Sequence, residues 1–272
     1  MLFDDNKRYY IDRRLAERIT ATASGSFPSY FAMLRSDADH EIEHLVNAFT
    51  VNETYFYRED HQLRCMTANL LADILTRKKA EDPIRIWSIP CSTGEEPYSI
   101  AMTLIEALGD HAARQCSVLS TDIDSQVLAK ADAGVYSLDQ VKHLSAERLK
   151  RFFLKGTGAH AGLVKVRPEV RALVKFERLN LTEANYNLRS PFDAIFCRNV
   201  MIYFDKPTQA QVLTRFEPLM KPGALLFAGH SENFTYVTQA FRLRGQTVYE
   251  LAGDAKGAAA PRNARALAGE VA

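Results

Sequence analysis

Residues 84–108 read IRIWSIPCSTGEEPYSIAMTLIEAL. A short apolar run leads through a polar loop into an amphipathic helical stretch that starts at residue 95. The same change of texture recurs, with apolar runs at 116–122, 174–180, 192–198 and 223–229 and helical stretches at 125–131 and 206–220. Strands that alternate with helices are typical of a parallel sheet covered on both faces. We therefore predict an α/β fold with a Rossmann-like, mostly parallel sheet.

The segments around this pattern differ from it in composition. Residues 1–70 carry apolar residues at helical intervals, which predicts an all-helical N-terminal domain, joined by a linker at 71–83 to an α/β domain at 84–252. The alternation breaks between about 135 and 173, and we predict a small antiparallel β-subdomain inserted there, at about 150–178. Residues 241–251 form either a hairpin or one long strand at the sheet edge. The last segment, 253–272, is rich in Ala and Gly, and we expect it to be disordered.

Composition excludes several classes of function. The chain has 34 Lys or Arg against 33 Asp or Glu, a formal net charge of +1, which argues against a broad nucleic-acid-binding face. We expect neither a signal peptide nor membrane insertion, because no run approaches the roughly 20 apolar residues that a membrane span needs. The four cysteines form no CxxC pair, so we expect reduced thiols in a cytoplasmic protein. His40 and His44 lack a third ligand nearby, so we predict no metal site.

The loop after the first predicted strand, CSTGEEP at 91–97, lies where open α/β sheets bind their ligands. It lacks the GxGxxG pattern that lays a pyrophosphate on a helix N-terminus. Glu95 and Glu96 would repel a pyrophosphate and attract a cation, such as the sulfonium and ammonium groups of S-adenosylmethionine. Gly94 would let that ligand approach the backbone. The alternative is that both acids only favour the first helical turn through the helix dipole.

Polar residues also follow the second and third predicted strands. Asp122 ends the second strand, where an acid typically accepts the hydroxyls of a ribose, whereas Asp124 is better suited to cap the next helix. Asn180 and Leu181 suit the edge and face of an adenine, unless Asn180 is only a turn residue.

The fourth predicted strand ends in FCRNVMIYF at 196–204. Arg198 and Asn199 are strongly polar residues at the end of a run that should be buried, and Tyr203 can reach the same edge. The alternative is a core segment with one snorkelling arginine.

These motifs together resemble a known family. The segments NETYFYRE, CSTGEEPYSIAM, STDIDSQVL, GTGAHAGLVKVR, FDAIFCRNVMIYFDK, KPGALLFAGHSENF and LRGQTVYEL, within residues 5–251, are similar to the bacterial chemoreceptor glutamate methyltransferases, the CheR family. The resemblance implies a helical N-terminal domain, a domain that binds S-adenosylmethionine and an inserted β-subdomain. It also implies that glutamate side chains of chemoreceptors become methyl esters, with S-adenosylhomocysteine as by-product and without a metal.

The resemblance further implies which residues carry the chemistry. Arg58 and Tyr203 would lie nearest the transferred methyl, and residues 52–58 would close over the ligand as a lid. Contacts to S-adenosylmethionine would come from Asn52, Thr54, Arg58, Glu96, Asp122, Asn180, Leu181, Arg198 and Asn199. Whether Glu95 or Glu96 holds the ligand is left open.

Two segments are candidates for receptor binding. Lys7, Arg14 and Arg18 fall on one face of a predicted helix, where an acidic receptor region would dock, unless this is only a solvated face. The resemblance also implies that the β-subdomain, through Gly156, Gly158 and Gly162, binds a peptide at the receptor C-terminus by strand addition. A plain hairpin turn is the alternative there, and Lys155 stands where the family pattern has Arg, which weakens bidentate binding of a carboxylate.

Two rival functions remain open at this point. One is a methyltransferase for a small molecule or RNA, and the other is an inactive relative that only binds receptors or S-adenosylmethionine. The near-neutral charge argues against RNA, and the presence of Arg58, Asp122, Asn199 and Tyr203 argues against an inactive relative. We expect a monomer.

Overall fold

The computed structural model of the chain describes residues 8–36, 38–71, 83–109 and 112–252. Lys7, most of the predicted linker and the predicted disordered tail at 253–272 lie outside the described residues. Among the residues that are described, none forms a helix with the length and apolarity that a membrane crossing requires.

The N-terminal region is helical, as the sequence predicts. Three helices are followed by a short helix that continues into a π-helical turn at Met66–Leu71: α1 Arg8–Ala21, α2 Phe27–Ser36, α3 Ala38–Phe49 and α4 Asp60–Cys65. The first three are joined by Glu41 of α3, a carboxylate that is only 6% exposed. Arg18 of α1 donates to its two oxygens at 2.8 and 2.7 Å, and the hydroxyl of Tyr30 in α2 donates to it at 2.7 Å.

Glu41 should therefore stabilise the helical domain. Its pKa is lowered mainly by the hydrogen bonds from Arg18, so its contribution is present at neutral pH and is lost as the pH falls through that lowered pKa. We expect Glu41→Ala to reduce the free energy of unfolding by about 3 kcal/mol at neutral pH, because Arg18 would lose its partner. Denaturant unfolding monitored by circular dichroism measures this loss.

The matched control is Arg13→Ala, which removes a surface ion pair with Glu17 from the same helix, and its arginine side chain is 68% exposed. Such pairs contribute little, so this variant should unfold close to the wild type. Equal midpoints for Glu41→Ala and Arg13→Ala at neutral pH would contradict a stabilising role for Glu41.

The main sheet confirms the α/β prediction. Its seven strands run in the order β6-β2-β1-β7-β8-β10-β9, and the first five are parallel. Their bounds are β1 Ile84–Ile89, β2 Cys116–Asp122, β6 Val174–Arg178, β7 Phe192–Cys197, β8 Met220–Ala228, β9 Phe241–Gly245 and β10 Val248–Leu251. β10 is antiparallel to β8 and to β9, so the last segment is a hairpin rather than one long strand.

Both faces of the central strands β1 and β7 are buried, as expected for parallel strands, whereas the edge strands β6 and β9 are more exposed. The larger helices around the sheet are α5 Glu95–Leu108, α7 Ser125–Ala133 and α11 Lys206–Phe216, and α6 Ala112–Gln115 is a single turn before β2. One face packs Trp87 of β1 against Phe192 and Phe216, with ring centroids 5.6 and 5.3 Å away. The central strand β7 is buried along its whole length, and this explains why its sequence shows no polar alternation.

The small antiparallel sheet is displaced from its predicted position at about 150–178. It has the order β3-β5-β4, with β3 Val135–Ser137, β4 Phe153–Lys155 and β5 Leu163–Val166, and short helices lie around it: α8 Leu138–Val141, α9 Ala146–Phe152 and α10 Pro168–Arg171. Residues 174–178 instead form β6, which pairs in parallel with β2 in the main sheet. The sheet begins where the alternation breaks, at about 135, but the three-residue strand β3 is too short to give a periodic signal, so the predicted bound of about 150 was too late.

Candidate active site

A cleft lies at the carboxyl ends of the parallel strands, bounded on one side by residues 50–58. It has two adjoining halves that share Pro90, Asp122, Ile123, Val200 and Tyr203. The halves contain about 640 and 650 Å³ of space, part of which is open to solvent. The cleft brings together all the predicted donor-site residues: Asn52, Thr54, Arg58, Glu96, Asp122, Asn180, Leu181, Arg198, Asn199 and Tyr203.

The two acids after β1 point in different directions. Glu96 lines the cleft, where it accepts from Ser88 Oγ and from Arg198 Nη1, each at 2.7 Å. Glu95 is buried away from it and accepts from Thr93 Oγ1 at 2.6 Å and from Gln140 Nε2 at 3.4 Å. Of the two acids, only Glu96 lines the cleft, and its contact with the ligand stays a prediction. The expectation that both acids face a cation does not hold for Glu95, which lies outside the cleft lining, and the charge of Glu96 is offset by Arg198.

The cleft nevertheless keeps an excess of acidic groups. Glu53, Glu96 and Asp122 line the cleft against Arg58 and Arg198. Arg198 is shared with a further carboxylate outside this lining, because it also lies 3.3 Å from Glu59 Oε2. Burial raises the pKa of Glu96, and the charge of Arg198 opposes that shift. An acid-lined cleft of this kind favours a cationic ligand.

Gly94 has a packing role in the loop after β1. Its φ is +96°, and a Cβ there would lie 2.9 Å from both Ala131 Cβ and the Tyr136 hydroxyl oxygen. Gly94 is absent from the residues that line the cleft. The missing side chain therefore makes room for α7 and the small sheet, and the close approach of a ligand to this backbone stays a prediction.

Asp122 is held in place by backbone amides. Ser92 N donates to its Oδ2 at 2.8 Å and Asp124 N to its Oδ1 at 3.0 Å, and burial raises its pKa despite these bonds. Asp124 caps α7 by accepting from the amides of Gln126 and Val127, as the sequence predicts. Asp124 Oδ2 also accepts from Asn52 Nδ2 at 2.9 Å, so the amide group of Asn52 joins its segment to the α/β domain.

The segment at 52–58 packs against the α/β domain and contributes to a wall of the cleft, and its closure over the ligand as a lid stays a prediction. Phe56 is fully buried, with its ring 4.9 Å from that of Tyr136 and 5.4 Å from that of Phe153 in the small sheet. Tyr57 N donates to Ser99 Oγ at 2.9 Å. Arg58 follows these anchors, and its guanidinium lies 5.7 Å from the centroid of the Tyr55 ring. Burial of the Phe56 and Tyr57 side chains stabilises this position of the segment.

The turn after β7 presents three of the predicted residues. Arg198 is 4% exposed, and its Nη2 donates to the backbone oxygen of Arg58 at 2.7 Å. Asn199 has a φ of +59°, and Tyr203 ends a 3₁₀ turn at Met201–Tyr203. Partial burial raises the pKa of Tyr203, which keeps its hydroxyl protonated and able to donate.

Sequence reasoning missed Glu232, which accepts hydrogen bonds from backbone amides of this turn. It lies in HSENF, part of a segment that carries the resemblance, but an acid in a loop gives no periodic signal of its partners. Metal-binding and thiol chemistry find no support among the described residues. Among the described residues, no cluster of His, Cys, Asp and Glu can hold a metal ion, and burial raises the pKa values of the Cys91 and Cys197 thiols.

The predicted basic docking face is altered by internal pairing. Arg18 is engaged with Glu41 inside the helical domain, so it is a structural residue. Arg14 lies 3.4 Å from Glu17, with its guanidinium over the Tyr10 ring. Spacing along the helix places these arginines on one face, but it does not reveal that this face meets α3.

The glycines of the small sheet have separate local roles. Gly156 donates its amide to Leu163 O at 2.9 Å, and a Cβ there would overlap the carbonyl oxygen of His160. The expectation that this amide is exposed for a peptide was therefore wrong. Gly158 and Gly162 have positive φ values of 56° and 87°, with open space where a Cβ would lie.

The mostly parallel sheet carries an acid-lined cleft at its carboxyl edge, where open α/β sheets bind their ligands. The match of residues 52–250 to an S-adenosylmethionine binding domain places the protein in the class of S-adenosylmethionine-dependent methyltransferases. Within that class, the chain belongs to the CheR methyltransferase family. Residues 52–250 match its S-adenosylmethionine binding domain, and residues 1–50 match its all-alpha domain.

Several relatives resemble the chain over most of its length. It is 49% identical to the chemotaxis protein methyltransferase of Salmonella typhimurium, over 92% of this chain and 84% of that protein. The protein of the same name from Escherichia coli is 47% identical, over 92% of this chain and 85% of that one. Chemotaxis protein methyltransferase 2 of Pseudomonas aeruginosa is 46% identical, over 90% and 85%.

Proposed function

We propose that the protein methylates glutamate side chains of chemoreceptors with S-adenosylmethionine, and so adjusts receptor signalling in bacterial chemotaxis. The products are glutamyl methyl esters and S-adenosylhomocysteine. The observation that carries the proposal is the position of Arg58 and Tyr203 on one acid-lined cleft, in a chain of the CheR family. A cation that can hold a carboxylate beside a site for a cationic methyl donor suits ester formation.

The residues of the cleft fit this donor. One half is mainly apolar, with Ile89, Leu179 and Leu181 around the single amide of Asn180, and suits an adenine. The other half carries Glu96 and the polar wall of residues 50–58, and suits an amino-acid group. Asp122 lines both halves, where its carboxylate would accept the ribose hydroxyls. When bound, S-adenosylmethionine supplies an electrophilic methyl group on a sulfonium.

The chain then has to position the acceptor rather than activate it. A glutamate has a pKa of about 4.3 and is already ionised at neutral pH, so no general base is needed. Arg58 would aim this carboxylate, and the Tyr203 hydroxyl would fix the reacting groups by donating a hydrogen bond. Opposite charges cancel as the ester forms, so a cleft that excludes water favours the reaction.

The raised pKa of Asp122 predicts a pH dependence of by-product binding. The ribose hydroxyls need an ionised carboxylate as acceptor, so the affinity for S-adenosylhomocysteine should fall as the pH drops through that raised pKa, above the ordinary aspartate value of about 3.9. Calorimetry across this range should also detect proton release on binding at the acidic end. Asp122→Asn is the control: it should bind at least 10-fold more weakly at neutral pH and lose the pH dependence. A wild-type affinity that stays flat with pH would contradict this role.

The proposed reaction is tested with methyl-labelled S-adenosylmethionine and receptor-containing membranes. We expect label on the receptor that alkali releases as volatile methanol, because carboxyl esters hydrolyse in base. Label that resists alkali would indicate methylation of nitrogen, and an absence of label would indicate a protein that only binds. Either result would overturn the proposal.

We also propose two contacts with the receptor. Arg14, together with Lys7, would dock an acidic methylation region, without Arg18.

The receptor C-terminal peptide would add a strand to β4, an edge of the small sheet where Leu154 is 41% exposed and Lys155 follows it, with Gly158 and Gly162 in the adjoining loop. Calorimetry with the isolated peptide should show binding at micromolar concentrations. A lack of heat at high micromolar concentration would exclude this tether.

A further inference from the structure

Glu232 is a buried carboxylate whose hydrogen bonds all go to backbone amides at the edge of the cleft. Its Oε1 accepts from Val200 N at 2.9 Å and Met201 N at 2.7 Å. Its Oε2 accepts from Asn199 N at 2.9 Å and Gly229 N at 2.6 Å. A carboxylate has about four lone-pair positions, so the four donors satisfy it completely.

These bonds connect two segments that leave the sheet side by side. β7 and β8 pair in parallel up to Cys197 and Ala228, and both chains then leave the ladder. Beyond that point the two segments are held together by Glu232, which accepts hydrogen bonds from the amides of both Asn199 and Gly229. Its own amide donates to Gly229 O at 2.9 Å, which closes the second segment into a turn.

The connected turn has a backbone that needs support. Asn199 has a φ of +59°, a conformation that costs energy for a residue with a side chain. It lies so close to Gly229 that a Cβ there would meet Asn199 Nδ2 at 2.6 Å and Asn199 N at 2.8 Å. The other end of the turn is braced by Gln209, whose Nε2 donates to Met201 O at 2.8 Å.

We propose that Glu232 is a positioning residue of the methyl-transfer site. It fixes the turn from Arg198 to Tyr203, so that the side chains of Arg198, Asn199 and Tyr203 are in place before ligands bind. Charge-assisted bonds to amides are stronger than neutral ones, which suits a carboxylate rather than an amide at this position. The expected effect on turnover rests on the proposed function. The expected effect on binding of the by-product does not, because that binding can be measured without an acceptor.

The decisive variant is Glu232→Gln, which keeps the size of the side chain. Its oxygen can accept from only two of the four amides, and its NH₂ group would face the other two donors. We expect at least a 10-fold loss of turnover at saturating substrates and at least a 10-fold weaker binding of S-adenosylhomocysteine by calorimetry, both measured well below the thermal midpoint.

The matched control is Asp193→Asn. Asp193 is a buried carboxylate at the opposite end of β7, and it accepts from Arg85 N at 2.8 Å. This variant should lower the thermal midpoint while turnover and by-product affinity stay within twofold. If Glu232→Gln kept both quantities within twofold, or if the two variants lost activity in step with their midpoints, Glu232 would have no specific role.

Amide hydrogen exchange of the wild type tests the same inference without relying on a variant that folds. The amides of Asn199, Val200 and Met201 lie outside the strands, yet they should exchange as slowly as amides inside β7. Exchange at the rate of an open loop would overturn the proposal. Because neither exchange nor by-product binding needs a glutamate acceptor, failure here is distinguishable from failure of the proposed reaction.

Discussion

Arg58→Ala should lower turnover at saturating donor and receptor by about 100- to 1,000-fold, the loss typical when a charged group that stabilises reacting atoms is removed. Arg58 is the cation on the wall of the cleft that has no carboxylate partner among the described residues: its Nη1 donates to the Glu53 backbone oxygen at 2.9 Å. Its guanidinium is therefore available to a carboxylate. Since its protein contacts are few, the fold should persist, and circular dichroism and thermal unfolding should resemble those of the wild type.

Two further variants make this experiment specific. Arg58→Lys keeps the charge but loses the planar fork that binds a carboxylate through two nitrogens, so it should recover only part of the activity. Arg64→Ala is the matched control, because Arg64 lies one turn into α4, is 72% exposed and pairs with Asp60. It should keep turnover within twofold. Normal turnover by Arg58→Ala at saturating substrates would remove Arg58 from the mechanism.

The fold was predictable to the extent that it repeats. β1 and β7 are short apolar runs because both faces of the sheet are covered, and α5 and α7 carry an amphipathic period. Each repeat adds evidence for the same parallel architecture. The small sheet has no such redundancy. β3 is three residues long, and its partner β5 is distant in sequence, so only the folded chain reveals the pairing.

The site was predictable as a set of positions but not as a set of contacts. Asp122 and Arg198 follow strands, and the topology of a parallel sheet brings strand ends together whatever the side chains do. The direction of a side chain depends on its neighbours instead. Glu95 and Glu96 are adjacent in sequence, yet only Glu96 meets Arg198, and Arg18 is spaced like a surface residue but meets Glu41.

The same limit explains why the sequence did not reveal the role of Glu232. Its partners lie more than 30 residues earlier, apart from Gly229, and they are backbone amides, which every residue type except proline supplies. The side chains of residues 199–201 therefore give no sequence signal of their interaction with Glu232. The resemblance marks the segment around Glu232 as characteristic of the family, but only the folded structure shows which contacts Glu232 makes there.

The buried group around Arg198 predicts a large effect on stability. Arg198→Met should reduce the free energy of unfolding by about 4 kcal/mol, because it leaves Glu96 and Glu59 without their shared cation. Without Arg198, the pKa of Glu96, which burial already raises, should rise further. When the pKa of an acid is raised in the folded state, the free energy of unfolding of the protein falls as the pH increases through that range. The loss of stability in Arg198→Met should therefore be greatest at neutral pH and smaller in acid.

The double variant Glu96→Gln/Arg198→Met separates stability from function. It removes both charges of the closest pair, and such replacements are often neutral for stability, so it should recover at least about half of the loss in denaturant unfolding. Binding of S-adenosylhomocysteine should remain at least 10-fold weaker than in the wild type, because the cleft keeps neither Glu96 nor the guanidinium that holds the Arg58 backbone. A double variant as unstable as Arg198→Met would show that the defect comes from lost packing, and full recovery of binding would show that this ion pair serves the fold alone.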